Sequence, residues 1–550
     1  MSESVLNQDA NQGNGSSRRE LFRQGGLLTL VGALPALGET TGRTAMSPAT
    51  KSTELYQSIG VRPVINAKGT FTIISGSQTL PEVKQAMDEA SRSYVEMDEL
   101  MDGVSKELAE LTGAEWGIVT AGCCAALTHT TAACIVGTNP ERMERLPDLT
   151  GLKSEVIIPE YSRNVYDHAI RMLGVKIVEV NEPSELDAAF NERTAMVYIL
   201  GGPGDDGPLG TQVIAEVAKR HGVPVIVDAA AEILTIPNVH LQRGATAVAY
   251  SGGKCIRGPQ AAGLLLGEKN LLQAAWANSA PHHAFGRSLK VGKEEIMGMM
   301  TAVQMWKKRD HAAEWQRWQG WLDEIAASVK RVPGVSTTSH GAEKSLSNRS
   351  PRLSIEWDGS QLGITGEEVS KLLLDTEPRI VLGGAKGSGP DAMASSLSIT
   401  PYMMVPGDAK VVADRIYTVL SKPPKIASPE PLPQGEPALV AGQWDVRIVF
   451  DRGSAAHTVI LEQRGSDLQG THHGEYVSGD LRGSVAATLI RFRSSQKIQG
   501  TRLFYDFTGT VDGDKMAGKV SLGEYGEAQW SAQRHEYKLP GGIIRPVKPA

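Results

Sequence analysis

The chain has 550 residues, 41% hydrophobic and 21% charged, with a net charge of -6. This composition excludes a chain disordered throughout, a collagen and a polytopic membrane protein, and the charge gives no global basic field to hold nucleic acid or anionic lipid. Four cysteines, Cys123, Cys124, Cys134 and Cys255, are too few for a disulfide framework and show no paired zinc spacing.

Residues 1–50 read as an export signal and tail rather than as fold. A polar Gly/Asn/Ser-rich stretch precedes Ser17-Arg18-Arg19-Glu20-Leu21-Phe22-Arg23, and an apolar run follows from Leu27 to Leu37. The run is shorter than the ~20 residues a spanning helix needs. The layout resembles a twin-arginine signal, which implies an exported, periplasmic protein with no stable membrane anchor. A cytoplasmic protein with a polar tail is the alternative.

Over 51–292, short apolar runs alternate with helical patterns: Val156 to Ile158, Lys176 to Val180, Ala195 to Leu200, Val223 to Val227 and Ala247 to Tyr250. This alternation predicts an α/β domain built on a mostly parallel sheet. Residues 293–420 begin with one long helical pattern, to about Val332, whose Trp306, Trp315, Trp318 and Trp321 are expected in the core. A small α/β domain follows. Six prolines between 421 and 437 predict an extended spacer. Over 438–550 the period becomes two, with turn signals such as Ser478-Gly479-Asp480 and Asp512-Gly513-Asp514. This predicts an antiparallel β barrel or sandwich, and its Gly442-Gln443-Trp444 opening resembles that of lipocalin-like barrels. His472 and His473 should face opposite sides of a strand, and no metal site is expected from them.

The chemistry concentrates between Val223 and Gly263. A strand ends in Asp228-Ala229-Ala230-Ala231-Glu232, and the loop after the next one reads Ser251-Gly252-Gly253-Lys254-Cys255-Ile256-Arg257-Gly258-Pro259-Gln260. A lysine amine forms a Schiff base with a cofactor aldehyde, and a carboxylate keeps a pyridine nitrogen protonated. Alone, Asp228 reads as a helix cap and Lys254 as a surface lysine. Together, in an α/β chain, they point to pyridoxal 5'-phosphate. Upstream, Gly122-Cys123-Cys124-Ala125-Ala126 opens a helix whose small residues would let backbone N–H groups approach a phosphate, with Ser251 adding a hydroxyl and Arg257 a charge.

These segments, with Val64-Ile65-Asn66-Ala67-Lys68-Gly69-Thr70 and Tyr166-Asp167-His168-Ala169, resemble the selenocysteine synthase-like branch of fold-type I enzymes over roughly residues 55–420. That branch includes L-seryl-tRNA(Sec) selenium transferases and D-glucosaminate-6-phosphate ammonia-lyase-like proteins. The resemblance implies the fold-type I aminotransferase-like architecture and a homodimer or larger homo-oligomer. It implies Lys254 and Asp228 as catalytic residues, and Gly122, Cys123, Cys124, Ser251 and Arg257 around the cofactor. It places a residue of the Glu160–Asn164 segment over the cofactor ring, for which Tyr161 is the choice. Asn66, Thr70 and Arg379 are the expected substrate contacts, Arg379 through a bidentate hold on a carboxylate. Arg257 and Ala262 stand where the selenium transferases have glycine, Gly253 stands where they have an acid, and no tRNA-binding region is recognised before residue 55. The expected activity is a lyase on an amino acid or amino sugar acid, by α-proton abstraction and β-elimination with ammonia release. A racemase, aldolase or transferase, or a non-catalytic binding protein on the same fold, are the alternatives.

Overall fold

The computed structural model describes residues 55–341, 345–426 and 433–537. The export-signal reading, including Arg18 and Arg19, and part of the Pro-rich spacer lie outside them. Residues up to Pro63 form one unit and Val64–Ala550 another. In the first, the described residues make a helical turn at 55–57. Among the described residues no helix is long and apolar enough to cross a membrane.

Within the second unit, a seven-stranded sheet runs in the order Trp116–Thr120, Gly263–Gly267, Ala247–Ser251, Val225–Asp228, Thr194–Leu200, Glu155–Pro159, Lys176–Val180. Gly263–Gly267 is antiparallel to both neighbours and the other pairs are parallel. Most of these strands are continuous Val/Ile/Leu-rich runs buried along their length, the signature of a sheet covered on both faces. The helix Gly122–Val136 is buried nearly all round. Its threonines 128, 130 and 131 return their hydroxyls to carbonyls one turn back, which satisfies them without water. Because Trp116–Thr120 and Ala247–Ser251 are both antiparallel to Gly263–Gly267, Thr120, Pro159, Leu200, Asp228 and Ser251 end along one sheet edge. Ligands of open α/β sheets bind at that edge.

The long helical pattern is two helices, Lys293–Lys308 and His311–Val329. Asp310 ends the first and caps the second, accepting from the Ala313 amide at 2.9 Å. The first buries Ile296, Met299 and Val303 against the large sheet's core, and the second buries Leu322, Ile325 and Val329 in a separate core. Trp306 is buried, and Trp318 and Trp321 are half-buried and pack against the first and second cores respectively; the core expectation fails for Trp315, and Trp306, Trp315 and Trp318 also line a cavity. The second core covers a five-stranded sheet in the order Ile65–Ala67, Ile380–Lys386, Ser395–Ile399, Arg352–Trp357, Ser336–His340. The Asn66 segment thus joins the small sheet, parallel to Ile380–Lys386.

Residues 442–534 form a closed eight-stranded barrel in which each strand is antiparallel to the next and Glu527–Arg534 closes on Gly442–Val449. Alternate residues point inward, as in buried-exposed repeats along Gly442–Val449 and Ser454–Arg464. Trp444 is fully buried, donates to the Val440 carbonyl at 2.8 Å, and lies 4.4 Å under the Arg534 guanidinium. His472 points inward and His473 outward. Inside, His457 Nδ1 and His472 Nε2 are 2.8 Å apart, and His472 Nδ1 lies 2.9 Å from the Ser494 hydroxyl. This polar cluster occupies the barrel half nearest the turns at 450–453, 474–477, 499–500 and 522–526.

Candidate active site

Asp228 ends a strand whose four residues are all buried. Its carboxylate accepts from the Ala230 amide at 3.0 Å, the Tyr198 hydroxyl at 3.0 Å and the Cys123 thiol at 3.4 Å. Register explains Tyr198: Leu200 pairs with Asp228, so Tyr198 lies two residues back on the same face. Burial, and then the Asp228 charge, push both the Cys123 thiol and the Tyr198 phenol well above their ordinary values. Both therefore stay protonated and donate. All three donors are neutral, and among the described residues no ion pair neutralises Asp228. A buried carboxylate in such a setting is costly until a cation faces it.

Lys254 sits in the loop after Ser251, half-buried, with Nζ 6.0 Å from the centroid of the Tyr166 ring. The loop folds tightly. The Gly252 amide donates to the Ala262 carbonyl at 2.8 Å, and the Ser77 amide donates to the Gly253 carbonyl at 2.9 Å. A side chain at Gly253 would meet the Gln260 side chain and backbone, so it could be accommodated only if Gln260 moved aside. Lys254 and Asp228 both act on the Cys123 and Cys124 thiols, Lys254 lowering and Asp228 raising them.

At the neighbouring strand end, Gly122 has φ +82° with open space where a Cβ would stand. The helix it opens has no side-chain cap, so its first amides remain available to an anion. Cys123 is turned to Asp228, and Cys124 is exposed in the same first turn. Ser251 ends its strand beside Asp228's, its amide on the Ala230 carbonyl at 3.4 Å.

The other expected residues make the following contacts. Tyr161 donates to the Leu209 carbonyl at 3.0 Å and packs its ring on Gly204. Tyr166, one 3-10 turn further on, is the aromatic that stands at Lys254. Arg257 bonds the Gln78 carbonyl through Nε at 3.0 Å and lines a cavity with Trp306. Asn66 is spent on its own turn, accepting from the Lys68 and Gly69 amides at 3.0 and 2.9 Å. Thr70 is buried, 2.9 Å from the Tyr402 hydroxyl and 3.2 Å from Asn348 Oδ1. Arg379 donates through Nε to the Leu374 carbonyl at 2.6 Å, near the end of the helix Gly366–Asp375.

Sequence reasoning missed Tyr198, though a tyrosine inside a strand buried on both faces must find a partner for its hydroxyl. It also missed a buried network behind the site. His240 lies 2.6 Å from Glu232 and 3.3 Å from Asp205, and Arg243 lies 2.8 Å from Asp205. Burial opposes a charge on His240, but its hydrogen bonds to Asp205 and Glu232 outweigh this and raise it to about 9.

The chain is 30% identical over 336 residues to D-glucosaminate-6-phosphate ammonia lyase of Salmonella typhimurium, covering 58% of this chain and 86% of that protein. It is 31% identical over 302 residues to 5'-C-glycyluridine monooxygenase-decarboxylase of a Streptomyces species, covering 51% and 72%. It belongs to this family. The family is the selenocysteine synthase-like branch of pyridoxal phosphate enzymes, and L-seryl-tRNA(Sec) selenium transferase of Proteus mirabilis matches at 24% identity over 46% of this chain and 58% of that one. A solved D-glucosaminate-6-phosphate ammonia-lyase superposes with a TM-score of 0.59 at 26% identity, covering 66% of this chain and 98% of the other. No family model matches. This pyridoxal phosphate enzyme is fold-type I, and lyase chemistry is its family-level activity. The residues present fit the cofactor: an uncompensated buried carboxylate suits a pyridinium, and uncapped helix amides suit a phosphate.

Proposed function

We propose that the protein removes the α-proton of an amino acid or amino sugar acid and expels a β-substituent, with release of ammonia and a keto acid. The observation that carries this is Asp228, buried among neutral donors beside Lys254. The name of the Salmonella relative, an ammonia lyase on an amino sugar acid, supports the reaction branch.

Bound here, pyridoxal phosphate supplies an electron sink conjugated to the substrate nitrogen. Lys254 Nζ is the amine that would hold the cofactor aldehyde, and the base placed to move the α-proton. Asp228 holds a proton on the ring nitrogen, while Tyr198 and Cys123 orient its carboxylate and remain neutral. The amides at Gly122 and Cys123, with Ser251, hold the phosphate. Tyr166, rather than Tyr161, forms the aromatic wall at Lys254.

A product assay across amino acids and amino sugar acids, following ammonia and keto acid together, tests the reading. Carbon dioxide release without ammonia would place the protein with the decarboxylase relative instead, and inverted substrate alone would make it a racemase. The polar-tail and Arg18-Arg19 pattern supports export as a further part of the proposal.

A further inference from the structure

A cavity of about 590 Å³ opens beside the Lys254 loop, within the size range of small-molecule sites. Its walls are aromatic. Trp306 lines it before the helix break, Trp315 and Trp318 after it, and Tyr402 closes it, with Trp318 and Tyr402 ring centroids 6.2 Å apart. Three arginines reach it. Arg309 is neutralised by a two-pronged pairing with Glu314 at 3.0 and 2.9 Å. Arg257 is held only through Nε, on the Gln78 carbonyl. Arg349 has no ion pair among the described residues.

Two guanidinium groups therefore border a largely aromatic chamber, neither of them in an ion pair among the described residues. Burial and then the neighbouring Arg309 charge depress Arg257, and the more distant Glu314 and Glu82 charges only partly oppose this. Arg257 also holds φ +60°, a left-handed conformation that non-glycine residues seldom keep except where a site requires it. The chamber is tied to the catalytic loop: Cys255 lines it, and Asn348, next to Arg349, donates its amide to the Ala231 carbonyl at 2.8 Å.

We infer that this cavity takes the distal oxyanion of the substrate, a phosphate or carboxylate, on Arg257 and Arg349, with the adjoining flat part of the substrate against the tryptophans. The inference rests on Lys254 as the reacting amine, and the test separates the two. Full-length protein loaded with pyridoxal phosphate, so that the Gly122 site is filled, is titrated with phenyl phosphate, benzoate and benzyl alcohol while tryptophan fluorescence is followed. The oxyanions should quench saturably and the alcohol should not, and the better oxyanion distinguishes phosphate from carboxylate. Arg349→Gln, at an exposed position, should weaken that binding at least tenfold and leave the cofactor absorbance unchanged. Arg257→Gln should do the same. For any acid-tailed substrate the product assay finds, Arg349→Gln should raise KM at least tenfold with kcat within about twofold. Absent quenching, or equal quenching in Arg349→Gln, overturns the inference. Normal quenching with no borohydride-trapped cofactor on Lys254 leaves the cavity intact and overturns the catalytic reading.

Discussion

Gln499, at the tip of the hairpin joining Leu489–Ile498 to Thr501–Asp512, accepts a hydrogen bond from the Arg163 guanidinium at 2.7 Å. The same tip packs Gly500 on the backbone of Asn164, so closely that a Cβ there would stand 2.1 Å from the Asn164 carbonyl oxygen. Asn164 donates to the Tyr198 hydroxyl at 3.0 Å, and that hydroxyl donates to Asp228. Beside it, Glu524 of a second barrel turn adds to the burial and charges that raise Tyr166. The barrel thus touches the polypeptide that orients the proposed ring-nitrogen carboxylate.

Gly500→Val should therefore reach the site from the barrel. The expected result is cofactor affinity weakened several-fold, with turnover lowered and the barrel still folded, whereas Gly513→Ala, at a turn on the opposite end, should leave affinity unchanged. Titration of cofactor-free protein with pyridoxal phosphate measures it.

Lys254→Ala should abolish the borohydride-stable bond between cofactor and protein, read as a mass increment on the peptide containing residue 254. The fold should persist, because Lys254 is only half-buried and no ion pair to it is seen among the described residues.

Asp228→Asn should lower turnover by about 10²–10³. Normal turnover would contradict the role given to this carboxylate.

Stability should fall on both sides of neutrality, for opposite reasons. His240 is raised to about 9 by its acidic partners, so its contribution is full below the unfolded value near 6.5 and is lost as pH rises through about 9. His472, in the barrel, is lowered by burial to about 3. The unfolded chain protonates it near 6.5 while the folded barrel does not, so stability declines as pH falls from 6.5 toward 3. Each slope is at most about 1.4 kcal/mol per pH unit. Denaturant unfolding across pH measures both, with His240→Gln flattening the alkaline limb and His472→Gln the acidic one.

Replacing Arg18 and Arg19 together by Lys should retain the protein in the cytoplasm, because a receptor for planar guanidinium groups does not accept ammonium groups in their place. Cell fractionation checks this, and a wholly cytoplasmic wild type would refute export.

The residues proposed to meet the cofactor are legible in the amino-acid order itself. Asp228 at a strand's end and Lys254 in a Ser-Gly-Gly loop carry their meaning locally, and the change of period after 437 announces the barrel. Periodicity reports which face of an element is buried, but not what buries it. That is why Trp315, expected in a core from its helical spacing, lines a chamber: its helix starts anew at Asp310 and turns to another core. It is also why the segment Glu160–Asn164 does not show which aromatic stands at Lys254: Tyr161 and Tyr166 lie in successive 3-10 turns, and Tyr161 packs on Gly204 while the Tyr166 ring faces Lys254. Tyr198 met Asp228 through the register of two neighbouring strands, and the barrel met Asn164 through a contact between residues far apart in the chain. Such long-range contacts are set by how strands align and where whole elements pack, and no local pattern of side chains encodes them.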